Sequence, residues 1–231
     1  MNVKINMLRK GLFFIALFAT TTAFSQSTSW DSTFRPASYD VKVAQFKSYA
    51  NSPGDIIFLG NSITANTDWS ELLGILNVKN RGISGDITFG VLERLKEVTE
   101  GKPAKVFILI GVNDISRNIP YEYMVKNYEK IVTGIKTASP ATRIYIQTLL
   151  PTNNSYDKFK NHYNKEDKIL AVNQFLKELA SKENVTLIDL YPHFLDSDKK
   201  LDKQFTIDGL HLSAAGYLKW KEILEKGGYL Q

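Results

Sequence analysis

Short apolar runs alternate with longer amphipathic segments along most of the chain. Five apolar runs, several of them rich in Ile and Val, are predicted strands: DIIFLG (55–60), LNVKNRG (76–82), AKVFILIG (104–111), TRIYIQTLL (142–150) and VTLIDLYP (185–192). Nearly continuous apolar runs are typical of strands that are buried on both faces. The pattern therefore predicts a parallel sheet that is covered by helices on both sides.

The segments between the strands have helical periodicity. In the segment 165–183, one face carries Ile169, Val172, Leu176 and Leu179, and charged residues lie opposite. The other predicted helices are 37–50, 68–76, 87–99, 121–138 and 213–227. This alternation predicts an α/β domain with a five-stranded parallel sheet. One long irregular stretch, 151–165, follows the fourth strand, where loops often carry function.

The N-terminal segment has the composition of a secretory signal peptide. Three basic residues in its first ten positions precede an uncharged stretch, 11–25. Ala23 and Ser25 occupy the small-residue positions before a cut at Gln26. The alternative is a membrane anchor, but the apolar part is short for a span of about 20 residues. We therefore expect a signal peptide over 1–25, a mature domain over 26–231, and export to the periplasm or the medium.

Composition excludes several classes of protein. The 231 residues fit one domain, and removing residues 1–25 lowers the formal net charge from +5 to +2 because that segment has three basic residues and no acidic one. So small a charge gives no reason to expect nucleic-acid binding. The absence of cysteine excludes disulfides and thiolate zinc sites, and no two histidines have a metal-binding spacing. No metal or cofactor is expected.

Chemically versatile residues follow the predicted strands. In an open parallel sheet, ligands bind beyond the carboxyl ends of the strands. Ser62 follows the first strand, Gly82 the second and Asn113 the third, while Asp208 and His211 precede the last helix. If the topology is as predicted, these residues converge at one edge of the sheet.

A serine, a histidine and an aspartate can together perform acyl transfer. A serine hydroxyl becomes a useful nucleophile only beside a base. Asp208 lies three residues before His211, so its carboxylate can fix the imidazole tautomer and leave the other nitrogen for Ser62. The structural alternatives are that Ser62 caps a helix, and that Asp208 and His211 bridge a turn before the last helix.

Acyl transfer also needs donors where negative charge develops on oxygen. The candidates are the N–H groups of Ser62 and Gly82 and the side-chain amide of Asn113. Gly82 is alternatively a tight-turn residue, and Asn113 the centre of an Asx turn. The neighbouring Asp114 is expected to anchor a loop or cap a helix.

Two further histidines are not part of this constellation. We expect His193, in YPHF, to pack or to make a surface contact. His162 lies in the long segment 151–165 and is expected to be solvated, with a place in a pocket lining as the alternative.

Taken together, the blocks GNSIT, NRGISGD, GVND and DGLH resemble those of the SGNH hydrolases, also called the GDSL esterase/lipase family. The naming residues of the family map onto Ser62, Gly82, Asn113 and His211, and Asp208 matches its triad acid. The chain has Asn61 where the family has aspartate. Such variants are similar to the branch with platelet-activating-factor acetylhydrolase-like and carbohydrate acetylesterase-like members.

The resemblance implies a three-layer α/β/α sandwich of flavodoxin-like type and a two-step serine esterase mechanism. Ser62 attacks the ester carbonyl, and His211, held by Asp208, acts as general base. The oxyanion is stabilised by the N–H groups of Ser62 and Gly82 and by Asn113.

The sequence restricts the substrate less than it restricts the mechanism. The segment 151–165 is polar and aromatic, which suits sugars, so we expect short-acyl, O-acetyl esters on carbohydrates. The alternatives are a lipid-directed acylhydrolase, lysophospholipase-like, and a non-catalytic binding module, although a module of that kind should lack a triad or oxyanion residue. A nucleotide-binding protein is excluded because no glycine-rich phosphate loop occurs. The oligomeric state is not readable.

Overall fold

The computed structural model describes residues 29–231, so the predicted signal peptide lies outside the described residues. The sheet contains β1 (Ile56–Gly60), β2 (Val78–Gly82), β3 (Lys105–Leu109), β4 (Arg143–Gln147) and β5 (Thr186–Ile188). All four strand pairings are parallel, in the order β2-β1-β3-β4-β5. This is the flavodoxin-like order, and it confirms the predicted sheet.

Helices cover both faces of the sheet. One face packs against α2 (Ser62–Ala65), α3 (Trp69–Leu73) and α9 (Ala214–Lys226). The other face packs against α4 (Thr88–Glu93), α5 (Leu95–Thr99), α7 (Tyr121–Ala138) and α8 (Glu166–Lys182). The other α-helices within residues 29–231 are α1 (Tyr39–Ser48) and α6 (Val112–Ser116). The layers match the predicted α/β/α sandwich.

Successive side chains of each strand pack against the helices on opposite faces of the sheet. Ile57 and Leu59 of β1 face α4, α5, α7 and α8, whereas Ile56 and Phe58 face α3 and α9. Successive side chains of a strand point to opposite faces, so a strand buried on both sides must be apolar at every position. This is why the strands could be recognised as continuous apolar runs.

Most predicted elements are longer than the observed ones by a few residues at their ends, and two differ more. The helix predicted over 87–99 is broken at Arg94, whose guanidinium turns inward to buried carboxylates and to carbonyl oxygens at the strand ends. The strand predicted over 185–192 has three residues and is followed by a 3-10 turn, Tyr191–Phe194. Pro192 lies in that turn and has no N–H for a further ladder bond.

The carboxyl end of β1 is built for close packing. A Cβ atom at Gly60 would lie 2.3 Å from the carbonyl oxygen of Leu109 in the neighbouring strand, so only glycine fits. Helix α2 begins two residues later at Ser62, and the Asn61 side chain caps it by accepting from the N–H of Ile63 at 3.0 Å. The chain thus turns sharply at the edge of the sheet and presents Ser62 there.

Candidate active site

Three side chains form a continuous hydrogen-bonded chain. Nε2 of His211 lies 2.9 Å from Oγ of Ser62, and Nδ1 of the same ring lies 2.9 Å from Oδ2 of Asp208. Ser62 and His211 are half-buried, whereas Asp208 is buried. Residues that are 149 positions apart in the sequence therefore meet at the carboxyl edge of the sheet, as predicted.

The environment of Asp208 keeps its carboxyl ionised. Burial acts to raise the pKa of Asp208, but hydrogen bonds from the backbone N–H and the imidazole of His211 outweigh burial and hold the pKa below its usual value. The N–H of Leu210 also donates to Oδ1, at 3.1 Å. A carboxylate held in this way accepts a hydrogen bond from Nδ1–H, which keeps the ring proton on Nδ1 and leaves Nε2 free to accept the proton of Ser62.

Two of the three predicted oxyanion donors are placed for that role. Ser62 is the first residue of α2, and its N–H has no acceptor in the part of the chain described. Asn113 lies on α6, is buried, and donates from Nδ2 to the carbonyl oxygen of Asp86 at 2.9 Å. An amide nitrogen has two hydrogens, so one hydrogen of Nδ2 is left for a ligand.

Gly82 is the exception, because its N–H is already used. It donates to Oδ1 of Asn80 at 2.8 Å. A Cβ atom at Gly82 would lie 2.4 Å from the backbone nitrogen of Ala65, so glycine is needed there for β2 to approach α2. The prediction that Gly82 supplies an oxyanion donor is therefore wrong, and its role is in packing.

Gly85, the second glycine of NRGISGD, is the better candidate. Its φ of +83° is one that residues with a Cβ atom rarely adopt. Its N–H makes no hydrogen bond within residues 29–231, and it directly precedes Asp86, whose carbonyl oxygen holds Asn113. The signal in the sequence was a glycine in the turn between a strand and a helix, next to an acidic residue, rather than the glycine at the strand end.

The other polar residues at this edge have distinct positions. Asp114 is fully buried and accepts from the N–H (3.1 Å) and the hydroxyl (2.6 Å) of Thr88, which confirms that it anchors the start of α4. Burial raises the pKa of Asp114 to about 7. His193 is exposed, in agreement with a surface position.

His162 does not have the predicted solvated environment. It is half-buried, and its Nε2 lies 3.0 Å from Oδ1 of Asn113. Two neighbours in the segment 151–165 also reach the triad: the ring of Phe159 packs edge-on against the ring of His211 with centroids 4.9 Å apart, and the hydroxyl of Tyr163 donates to the carbonyl oxygen of Asp208 at 2.5 Å. The long loop thus forms one wall of the site.

Residues 29–231 contain no cluster of three or more His, Asp or Glu side chains that could hold a metal ion. Over the same residues, none of the helices has both the length and the apolar composition needed to cross a membrane.

Comparison with known proteins gives consistent results. The model of the GDSL-like Lipase/Acylhydrolase family matches residues 58–219. Platelet-activating factor acetylhydrolase IB subunit alpha2 of Rattus norvegicus is 33% identical over 172 residues, which cover 71% of this chain and 72% of the relative. A solved structure from Streptococcus pneumonia, described as a platelet activating factor, is 31% identical with a TM-score of 0.76, covering 84% of this chain and 92% of the other.

A more distant structure shares the fold. The acetyl xylan esterase AlAXEase superposes with a TM-score of 0.62 at 21% identity, over 75% of this chain and 98% of that one. The family model spans well over half of the chain and includes every member of the triad. The protein therefore belongs to the GDSL-like lipase/acylhydrolase family of ester hydrolases.

Proposed function

We propose that the protein is a serine esterase that removes short acyl groups, O-acetyl groups above all, from carbohydrates. The observation that supports the chemistry is the hydrogen-bonded chain from Ser62 through His211 to Asp208. This arrangement couples a nucleophile to a base and the base to a carboxylate, which is the arrangement that acyl transfer requires.

In the first half-reaction, Oγ of Ser62 attacks the ester carbonyl carbon, and the hydroxyl proton passes to Nε2 of His211. The carbonyl oxygen becomes an oxyanion, which receives hydrogen bonds from the N–H groups of Ser62 and Gly85 and from Nδ2 of Asn113. The tetrahedral intermediate collapses as the carbon–oxygen bond to the alcohol breaks, and His211 gives its proton to the departing alcohol. An acyl-serine remains.

In the second half-reaction, water attacks the acyl-serine and loses a proton to Nε2 of His211. A second oxyanion forms and is stabilised by the same donors. It collapses as the bond between the acyl carbon and Oγ of Ser62 breaks, and the proton returns from His211 to that Oγ. The carboxylic acid leaves. Asp208 is ionised throughout because the hydrogen bonds that it accepts stabilise its carboxylate, and this carboxylate stabilises the imidazolium form of His211.

The lining near the triad supports the carbohydrate substrate. A cavity of about 470 Å³ next to the site is lined by Asp157, Lys158, Phe159, Lys160, Asn161 and His162. The rings of Phe159 and His162 among charged and amide side chains are suited to a sugar, which presents both C–H faces and hydroxyl groups. The names of two similar proteins, an acetylhydrolase and an acetyl xylan esterase, also favour the acetyl group.

A lipid-directed acylhydrolase is the second candidate. It is favoured by a largely apolar cavity of about 390 Å³ between α6, α7 and α8, whose lining includes Ile115, Ile119, Met124 and Val172. A cavity of this kind could accept part of an acyl chain. The two candidates differ in the chain length that they predict for the best substrate.

Hydrolysis of p-nitrophenyl esters from acetate to palmitate tests both candidates. We expect kcat/KM to fall steeply beyond butyrate, and Ser62→Ala to lose essentially all activity. Ser48→Ala, on the exposed end of α1, is the matched control and should retain it. A maximum at long chains would move the assignment to lipids. Activity that survives in Ser62→Ala would exclude the serine mechanism.

We propose in addition that residues 1–25 are a signal peptide and that the chain is exported. The basic start, the uncharged stretch and the small residues before Gln26 support this proposal. Expression in a host with a secretory pathway, followed by mass spectrometry, should give a product that begins at Gln26. An intact N-terminus in the membrane fraction would instead indicate an anchor.

A further inference from the structure

The contact between His162 and Asn113 fixes the orientation of an amide in the site. Nδ2 of Asn113 donates to the carbonyl oxygen of Asp86, so Oδ1 is the atom that faces His162. Oδ1 can only accept a hydrogen bond. Nε2 of His162, 3.0 Å away, must therefore carry a proton and donate it.

The other nitrogen of the same ring is in a different environment. Nδ1 of His162 is buried and has no hydrogen-bond partner within the described part of the chain. A proton on Nδ1 would be a buried donor without an acceptor, which is costly. Burial lowers the pKa of His162 to about 4, and the charges of His211, Lys165 and Arg117 act in the same direction. At neutral pH the ring is uncharged, with its proton on Nε2.

The loop holds this ring in place through its neighbours. The N–H of His162 donates to the carbonyl oxygen of Phe159 at 2.8 Å, which closes a turn. Phe159 packs on His211, and Tyr163 bonds to the backbone of Asp208. The segment 151–165 therefore reaches the general base, the triad acid and the oxyanion amide at once.

We propose that His162 is a positioning residue for the oxyanion hole, and that its Nε2–H holds the Asn113 amide with the free hydrogen of Nδ2 directed at the developing oxyanion. This inference rests on the proposed function. Two contacts define the amide, Asp86 on the nitrogen and His162 on the oxygen, so loss of the His162 contact leaves the amide free to rotate or flip. Donation to Oδ1 also polarises the amide, and linked hydrogen bonds of this kind strengthen one another.

The size of the effect can be bounded. Complete loss of an oxyanion donor costs roughly 10²- to 10³-fold in kcat. Loss of the orienting hydrogen bond leaves the Asn113 donor present but less often aligned, and a neutral hydrogen bond corresponds to roughly tenfold. We therefore expect kcat to fall by about 10- to 100-fold when His162 cannot donate.

The test is steady-state kinetics on p-nitrophenyl acetate with five variants. His162→Phe keeps a planar ring but removes the donor, whereas His162→Gln places an amide N–H near the position of Nε2. We expect His162→Phe to lower kcat by about 10- to 100-fold with KM changed by less than about threefold, and His162→Gln to restore most of kcat. His193→Gln, at an exposed histidine, is the control and should match the wild type.

The fourth and fifth variants are Asn113→Ala and its combination with His162→Phe. If His162 acts through the amide, the double variant should be no slower than Asn113→Ala alone, to within about twofold. Losses that multiply would overturn the proposal, because His162 would then act independently of Asn113. A wild-type kcat in His162→Phe would overturn it as well.

Two further outcomes are distinguishable. Should His162→Phe fail to fold, as judged by circular dichroism, His162→Asn takes its place, because an asparagine amide is too short to reach Oδ1, and the same expectations apply. If the wild type shows no Ser62-dependent hydrolysis, the proposed function itself fails and the role of His162 fails with it. If the wild type is active in a Ser62-dependent manner, either an unchanged kcat in His162→Phe or multiplying losses in the double variant rejects the positioning role alone.

Discussion

A carboxylate decides which nitrogen of an imidazole carries the proton, and Asp208 does this for His211. Oδ2 accepts from Nδ1 at 2.9 Å, while Oδ1 accepts from two backbone N–H groups, those of Leu210 and His211. These two backbone hydrogen bonds fix the rotation of the Asp208 carboxylate independently of its contact with the imidazole of His211. His162 and Asn113 form a second pair in which the imidazole also donates to a side-chain oxygen, but from Nε2, so the two rings are opposite tautomers.

Asp208→Asn should abolish most activity without unfolding the protein. The asparagine oxygen can keep the two backbone hydrogen bonds, so its Nδ2 would face Nδ1 of His211. That nitrogen would then have to accept, which moves the ring proton to Nε2 and prevents removal of the Ser62 proton. We expect kcat to fall by about four orders of magnitude. Asp198→Asn, at an exposed aspartate, is the control, and equal kcat for the two variants would contradict the assignment.

His162 should also make stability depend on pH. Its pKa is lowered to about 4 in the folded protein, against about 6.5 in an unfolded chain. Between these values the unfolded chain binds a proton that the folded chain excludes, so the free energy of unfolding rises with pH from about 4 to about 6.5. We expect His162→Gln to remove about 1–2 kcal/mol of this rise, reduced from the full shift because the ring is only half-buried. Urea denaturation of the wild type and of His162→Gln at pH 4.5 and 7 measures this difference. An equal change in the free energy of unfolding between the two pH values in both proteins would contradict the prediction.

At the scale of elements, Arg94 joins the strand ends that carry the site. It pairs with Asp86 and Glu97, each at 3.0 Å, and donates to the carbonyl oxygens of Gly60 and Arg81. Its side chain and both carboxylates are fully buried. The break between α4 and α5 at this residue therefore brings a guanidinium under the turn that presents Ser62.

Glu97→Ala should destabilise the fold severely. It leaves the guanidinium of Arg81 without its carboxylate partner and removes one of the two carboxylates that pair with Arg94. Loss of one partner of a buried ion pair costs about 3–5 kcal/mol, because a buried charge is left uncompensated. Glu93→Ala removes the exposed partner of Arg35 and should cost less than about 1 kcal/mol. Denaturant midpoints measure the difference, and equal values would show that the buried network adds nothing.

At the scale of the whole molecule, the features that could be predicted are those that depend on local pattern. Apolar runs identified the strands, and the rule for strand ends placed Ser62 and His211 together. The choice between Gly82 and Gly85 depends on which of their N–H groups already donates to a side chain. The sequence does not indicate that Asn80 accepts from the N–H of Gly82. The contact of His162 with Asn113 joins residues 49 positions apart, so no local pattern encodes it.

A continuous row of aromatic rings runs through the core on one face of the sheet. Aromatic rings lie face to face across three neighbouring strands: Phe58 to Phe107 at 4.7 Å and Phe107 to Tyr145 at 4.4 Å between centroids. Trp69 of α3 stacks on Phe58 at 3.9 Å and extends the row to the helical layer. These rings pack on one face of the sheet, whereas the triad lies beyond the carboxyl ends of the strands.

Stability and chemistry should therefore be separable by mutation. Phe107→Ala removes a fully buried ring from the centre of the row and should cost about 3–5 kcal/mol, whereas Leu218→Ala, at a largely exposed residue of α9, should cost less than about 0.5 kcal/mol. At a temperature where the Phe107 variant is still folded, its kcat should stay within about threefold of the wild type, because the triad residues lie beyond the strand ends and keep their own hydrogen bonds. Ser62→Ala should show the reverse, with the melting temperature kept and activity lost. Thermal unfolding and kcat on the same samples test this, and a folded Phe107 variant without activity would mean that the aromatic row also sets the geometry of the site.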